Sequence, residues 1–267
     1  IREEIGDVLG VARSSNNLGI LKRNSGDWKG ALAHYERGLK ILEEIGDIEG
    51  IAIAHTNIGN VYIDMGEWDK AEANLRQSFD IAQKIANPYE IAQAHLNLGR
   101  LYLAQDELAK TQRHLDAAIV LYKQAGARAN PALIDAYWMQ GLLCLAEGQI
   151  EAAATWGERS HALLQEVTGK ATGESAEWGR YAQLMGRVAI AKGEFESALK
   201  YLERAKTIFS TCKTYLEIGR TAYWCAQAWA ALADNQKAHA ELSEARRIFE
   251  QLGAQPDLLR CEQMRIA

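Results

Sequence analysis

Proline is nearly absent: Pro88, Pro131 and Pro256 are the only three in 267 residues. Because proline interrupts helix interiors, its scarcity leaves room for long helices. Phenylalanine is rare, and runs of the β-branched residues that favour strands are missing. No apolar run approaches the roughly 18 residues that a membrane-crossing helix needs, which excludes an integral membrane segment. No basic block occurs and the net charge is −5, which argues against a nucleic-acid partner. The four cysteines, Cys144, Cys212, Cys225 and Cys261, show neither a CxxC pair nor metal-ligand spacing. They are expected to be free, buried thiols of a cytoplasmic protein. What remains is an ordinary folded composition, 48% hydrophobic and 24% charged, rich in the helix formers Ala, Leu, Glu, Gln and Lys.

The sequence repeats itself. IREEIGDVLG at 1–10 and ILEEIGDIEG at 41–50 agree at seven of ten positions. NNLG at 16–19, TNIG at 56–59 and LNLG at 96–99 set Gly19, Gly59 and Gly99 at a spacing of 40. Gly141, Gly186 and Ala226 continue the series at spacings of 42, 45 and 40. Seven residues after each stands a turn position: Gly26, Gly66, Asp106, Gly148, Gly193 and Ala233. Two residues later comes a bulky group in most units (Trp28, Trp68, Leu108, Ile150, Phe195), replaced by Asn235 in the last. Small residues then recur at Ala31, Ala71, Thr111, Ala153, Ala198 and Ala238. Each unit predicts two antiparallel amphipathic helices joined by a short turn, with apolar residues at helical spacing such as Ala54, Ile58, Val61 and Tyr62. A glycine inside a helix costs about 1 kcal/mol relative to alanine. A repeated cost predicts a repeated cause, a neighbouring helix crossing too close for a side chain.

These marks resemble the tetratricopeptide repeat, with a period of 40 instead of 34 and without the proline that usually closes each unit. The long variant is similar to arrays in bacterial signalling ATPases and transcriptional regulators and in kinesin light chain. The expected fold is all-α, an α-α superhelix of about six antiparallel helix pairs forming a single solenoid domain. The expected units are 8–47, 48–87, 88–129, 130–173, 174–213 and 214–253, followed by a C-terminal helix at 254–267. Residues 1–7 match the end of a unit, so the chain is expected to be a fragment of a larger protein. Insertions between units are expected at 126–131 and 167–175.

No catalytic pattern emerges. TGKATG at 168–173 lacks the phosphate-loop arrangement, because Leu164 stands where the first glycine belongs and Ala171 follows Lys170. His55 and His95 share a repeat position and should lie on neighbouring first helices as packing residues, without a third ligand for a metal. No G-x-S-x-G motif or paired acid and base stands out. The chain is therefore expected to be neither an enzyme nor a cofactor protein.

In the tetratricopeptide family the first helices line a concave groove. The resemblance places Asn17, Asn57 and Asn97 there in one register, with Asn60 beside them. Amides offer both donor and acceptor to an extended peptide; the other reading is that they brace adjacent helices. The same frame places Trp138 and Tyr223 as aromatic anchors, with Trp224 near them, unless a shifted register makes these rings core. It places Arg13, Arg23, Arg100, Arg180, Arg187 and Arg220 on or beside the groove, against few acids, chiefly Asp64 and Asp135. Guanidinium forks suit carboxylates, so the expected partner is an extended, acidic peptide or protein segment. It could belong to the parent chain; the alternative is that these arginines pair with Glu on neighbouring helices. The expected role is the sensor or regulatory part of a bacterial signalling protein. The alternatives are a small-molecule sensor using an aromatic C-terminal groove, or an oligomerisation or spacer arm.

Overall fold

The computed structural model describes residues 7–126 and 130–266. The truncated-repeat reading of residues 1–7 and the insertion expected at 126–131 therefore fall largely outside the described residues. Those residues form helices and turns, with no strand among them. They gather into two compact units, Ile1–Leu121 and Tyr122–Ala267.

The first unit holds α1 (Val8–Asn24), α2 (Trp28–Ile45), α3 (Ile48–Met65), α4 (Trp68–Ile85), α5 (Pro88–Ala104) and most of α6 (Leu108–Ala125). The second holds α7 (Asn130–Ala146), α8 (Ile150–Thr168), α9 (Ala176–Lys192), α10 (Phe195–Cys212), α11 (Tyr215–Ala231), α12 (Asn235–Leu252) and α13 (Gln255–Gln263). Each bulky residue of the repeat opens an even-numbered helix. Each expected turn residue has a left-handed φ, from 59° at Ala233 to 83° at Gly26. At Asp106 and Ala233 the conformation is adopted without glycine, at the steric cost that side chains carry there. The TGKATG segment is an inter-helix connection: α8 ends at Thr168, Gly169 caps it at φ 65°, and α9 begins at Ala176.

The repeated IGD letters now have a cause. Gly46 closes α2 in the left-handed region, and Asp47 caps α3 by accepting the Gly50 N–H at 3.0 Å. Asp7 and Asp27 do the same for α1 and α2, accepting from Gly10 and Gly30 at 2.9 Å. Such a cap satisfies one orphan donor of the first turn.

The hydrophobic clusters among the described residues join neighbouring helix pairs. Ala12 of α1, Leu42 of α2 and Ala54 of α3 cluster together, as do Leu75 of α4 with Ile63 of α3 and Leu98, Leu101 and Tyr102 of α5. In the second unit Ile134, Leu164, Trp178 and Ile208 join four consecutive helices. Stacking neighbours is thus what buries each pair. Odd-numbered helices also meet the next odd-numbered helix (α1 with α3, α3 with α5, α7 with α9, α9 with α11) more closely than even ones meet each other. Each unit therefore curls with its odd helices on the inner side.

The recurring glycine sits where the even helix crosses. A Cβ on Gly59 would lie 2.8 Å from Leu75 Cγ and 3.3 Å from the Ala71 carbonyl oxygen. At Gly186 the same contacts are Leu202 Cγ at 2.7 Å and the Ala198 carbonyl at 3.3 Å. Ala31, Ala71, Thr111, Ala153, Ala198 and Ala238, the small residues facing these crossings, are wholly buried.

His55 and His95 do lie on neighbouring odd helices, and each reaches its even partner 19 residues on. His55 Nδ1 pairs with Asn74 Oδ1 at 3.0 Å, and His95 Nδ1 with His114 Nδ1 at 2.9 Å. Two ring nitrogens at that distance share one proton, so the two rings cannot both be cationic. Phe79 packs edge-on against His95, and Tyr102 lies against His114. Burial and the charge of Arg113 lower the His95 pKa. Burial, His95, Arg113 and Arg76 lower that of His114 to about 4.

Two outcomes follow from this packing. Gly59→Ala gains about 1 kcal/mol of helix propensity but incurs about 1–3 kcal/mol of overpacking, so urea denaturation should show a net loss; an equal or higher midpoint would refute the close-crossing account. For the histidines, native pKa values lie below the unfolded value of about 6.5. The unfolded chain then binds more protons in acid, so stability is full above that value and declines as pH falls toward 4. The urea midpoint should drop between pH 7 and pH 4.5. His114→Asn, which installs the residue found at position 74, should flatten that drop; an unchanged slope would contradict it.

Candidate functional site

The inner side of the first unit is a polar lattice between repeats. Asp64, only 2% exposed, is gripped from both directions. Arg23 of α1 approaches one oxygen at 2.6 Å, and Arg100 of α5 the other at 3.0 Å. Asn57 donates to Asn16 Oδ1 at 2.7 Å. Asn60 donates to Asn97 Oδ1 at 3.2 Å, and Asn97 donates to the Gln93 carbonyl at 2.8 Å. The three register-matched asparagines therefore differ in placement: Asn17 is exposed, Asn57 half-buried and Asn97 buried. Asn60 is also buried, so Asn60 and Asn97 brace α3 against α5. Arg13 is exposed on α1.

In the second unit the inner side mixes rings and charges. Arg180, half-buried on α9, pairs with Asp135 of α7 at 3.1 Å and with Glu177 at 3.0 Å, and lies 5.6 Å from the Trp138 ring centre. Burial opposes its charge, but Asp135, Glu177 and Glu217 outweigh that effect and hold its pKa above the ordinary value. Arg220 of α11 binds Asp257 of α13 at 3.1 Å and Glu217 at 2.9 Å. Gln183, buried on α9, donates to Glu217 and to Thr221. Arg187 stacks over the Trp224 ring at 4.3 Å, and its Nε has no hydrogen-bond partner. Burial and then the charge of Arg260 pull its pKa down to about 10. Trp138 and Tyr223 are half-buried. The Tyr223 hydroxyl accepts from Gln227 and its ring meets Trp224 edge-on, whereas the Trp138 indole N–H is unmatched.

The expectation of an arginine-rich, acid-poor groove needs correction. Arg23, Arg100, Arg180 and Arg220 each hold a carboxylate already. The sequence pattern does not single out Asp257, Glu177 or Glu217, although Arg220–Asp257 lies 37 residues apart, near one period, as do Arg23–Asp64 and Asn57–Asn16 at 41. Cys144, Cys225 and Cys261 are buried free thiols as expected, but Cys212 is only half-buried, with its Sγ 3.1 Å from the Glu174 carbonyl. Among the described residues no group of three metal-ligating side chains occurs, and no helix is long and apolar enough to cross a membrane.

Neutralising Asp64 leaves two guanidiniums without their anion. Breaking a fully buried pair costs about 3–5 kcal/mol. Because Arg23 and Arg100 keep some solvent contact, Asp64→Asn should cost about 2–3 kcal/mol in urea denaturation. A change within 0.5 kcal/mol or so would show the pairs to be surface-like.

A tetratricopeptide repeat profile matches residues 10–84 and 50–110, and a second one matches residues 179–212, together about half of the chain. Comparison with curated protein sequences gives no match. Among solved structures, the apo form of RapI is similar with a TM-score of 0.66 and 12% identity, over 91% of this chain and 85% of that one. A Rap protein complexed with competence and sporulation factor gives 0.64 and 14%, over 93% and 72%. The STAND signal-transduction ATPase with a tetratricopeptide repeat sensor from Pyrococcus horikoshii gives 0.60 and 14%, over 94% of this chain and 37% of that one. At such identities the three share a fold with this chain. Sequence match, helix pairing and the glycine crossing recur on the same positions, and the chain belongs to the tetratricopeptide repeat family.

Proposed function

We propose that this chain is a protein-interaction module that holds an extended peptide or protein segment against the inner, odd-helix side of its repeats. It would serve as the sensing or regulatory part of a larger bacterial signalling protein in the cytoplasm. The observation that carries this reading is the gathering of amide, guanidinium and aromatic side chains from successive repeats on that one side. On this reading Arg13, Asn17, Asn57 and Arg100 would meet the segment in the first unit, and Trp138, Arg180, Arg187, Arg220 and Tyr223 in the second. Successive odd helices are close neighbours, so a chain lying across them meets several repeats at once. Amides can pair with its backbone, and half-buried rings supply anchors. Asn60 and Asn97 would act behind this surface, fixing the spacing of α3 and α5. Similarity to a Rap protein solved with a signalling factor and to a STAND protein with a repeat sensor supports a regulatory setting.

The test is selection of peptides from a random display library on the full chain, followed by affinity measurement. Asn17→Ala should weaken a peptide bound by the first unit, and Tyr223→Ala one bound by the second, at least tenfold, about 1.4 kcal/mol. Lys200→Ala, on an exposed even-helix position, should leave binding unchanged. Failure to recover any peptide, or peptides indifferent to both inner-side substitutions, would reject the reading. Thermal-shift screening against metabolites would then be the route to a small-molecule ligand.

A further inference from the structure

One apolar stripe of the first unit has no cover among the described residues. On α1, Val11, Ser14, Leu18 and Leu21 follow one another at spacings of 3, 4 and 3, which puts them on one face. One repeat on, the same register reads Ile51, Ala54, Ile58 and Val61 in α3; two repeats on, it reads Ile91, Ala94, Leu98 and Leu101 in α5. In those helices this face is the seat on the preceding helix pair. Ile51 and Ala54 pack with Ala12 and Leu42, and Leu98 and Leu101 pack with Ile63, Ala71 and Leu75. Ile58, Val61, Leu98 and Leu101 are accordingly no more than 4% exposed, whereas Leu18 is 45% and Leu21 65% exposed. Thus α1 presents in the open the surface by which the repeats of this unit adhere to one another.

We infer that this stripe joins two copies of the chain, with α1 lying antiparallel to α1 of the second copy about a two-fold axis. The shape of the stripe selects that occupant. Its C-terminal half is long-chained (Leu18, Leu21) and its N-terminal half short (Val11, Ser14). In an antiparallel pair Leu18 enters the gap over the partner's Ser14 and Leu21 meets the partner's Val11, the facing of knobs and holes that a heptad stripe provides. The charges agree. No charged side chain interrupts the stripe, and its ends differ in sign: Asp7 caps the start of α1, while Lys22 stands in the last turn, with its side chain 46% exposed beside Asp27. An antiparallel mate sets acid near base at both ends and opposes the two helix dipoles. The last helix of the chain offers no matching stripe; on α13 Leu259 is the one large apolar side chain that stands exposed. A closed two-fold pair is therefore favoured over head-to-tail growth. The 17 residues of α1 run about 25 Å. One such helix from each copy is a small contact beside the roughly 1,200–2,000 Å² of a standard stable interface, so the pair is reversible, with dissociation in the micromolar range. The pairing requires no peptide ligand and stands whether or not one is found.

Sedimentation equilibrium of the full chain, over a hundredfold span of micromolar concentrations, tests this. A reversible monomer–dimer equilibrium is expected. Leu21→Glu should weaken it at least tenfold. At concentrations where wild type is monomeric, that variant should keep the wild-type urea midpoint, because Leu21 is exposed in the single chain. Val120→Glu, at an apolar position of α6 that is 53% exposed, should leave the dimer intact. Register has its own check. Val11→Lys should also dissociate the pair. An equimolar mixture of Leu21→Glu and Val11→Lys chains should then associate at least tenfold more tightly than either alone, since the two introduced charges face each other. A chain that stays monomeric throughout overturns the inference and leaves the stripe to a helix pair of another protein segment. Growth beyond a dimer, or dissociation by Leu259→Glu, reveals head-to-tail contact and overturns it as well. A mixture no tighter than its components refutes the antiparallel pairing.

Discussion

Everything in this molecule depends on how closely an even helix can cross its odd partner. The glycine at the crossing lets Leu75 or Leu202 lie against bare backbone, and the wholly buried Ala71 and Ala198 complete the contact from the other side. That separation makes the hairpin thin, and a thin hairpin cannot bury its own apolar surface. The clusters around Leu75 and around Trp178 accordingly draw on three and four consecutive helices. Stability is thus a property of stacking, and the stack gives each unit a regular inner side.

On that inner side the same regularity produces polar contacts. A residue on one odd helix finds its counterpart one repeat away, so Arg23 meets Asp64, Asn60 meets Asn97, and Arg220 meets Asp257 at separations near the repeat length. Most of the charge is thereby consumed within the protein. Few of the candidate residues stay outside this lattice: the exposed Arg13 and Asn17, the half-buried rings of Trp138 and Tyr223, and the unmatched donors of Trp138 and Arg187.

The fold was legible because a repeat states the same physical demand several times. One glycine in a helix is ambiguous; Gly19, Gly59, Gly99, Gly141 and Gly186 in one register are not. The bulky residue at each even-helix start and the left-handed turn residues were equally readable. The capping role of Asp7, Asp27 and Asp47 was missed, although Asp preceding an apolar-periodic run is a helix-start signal. The candidate site was less legible. Register placed Asn17, Asn57 and Asn97 together, but only packing decides that the first is exposed and the third buried. The arginines looked free because their partners Asp64, Asp135 and Asp257 sit 36 to 45 residues away, on helices whose rotation about their own axes a linear pattern does not specify, whereas Glu177 and Glu217, three residues before Arg180 and Arg220, were readable from helical spacing.

Asp64 carries a further implication. A carboxylate has two oxygens, and here each belongs to a different neighbour, one to α1 and one to α5. The group behaves as a rivet through three successive layers. Withdrawing one arginine leaves the buried carboxylate to the other alone, so each contact bears on the charge balance of its neighbour. An anion competing for Arg100 would therefore be felt at Arg23, two helices of the inner row away.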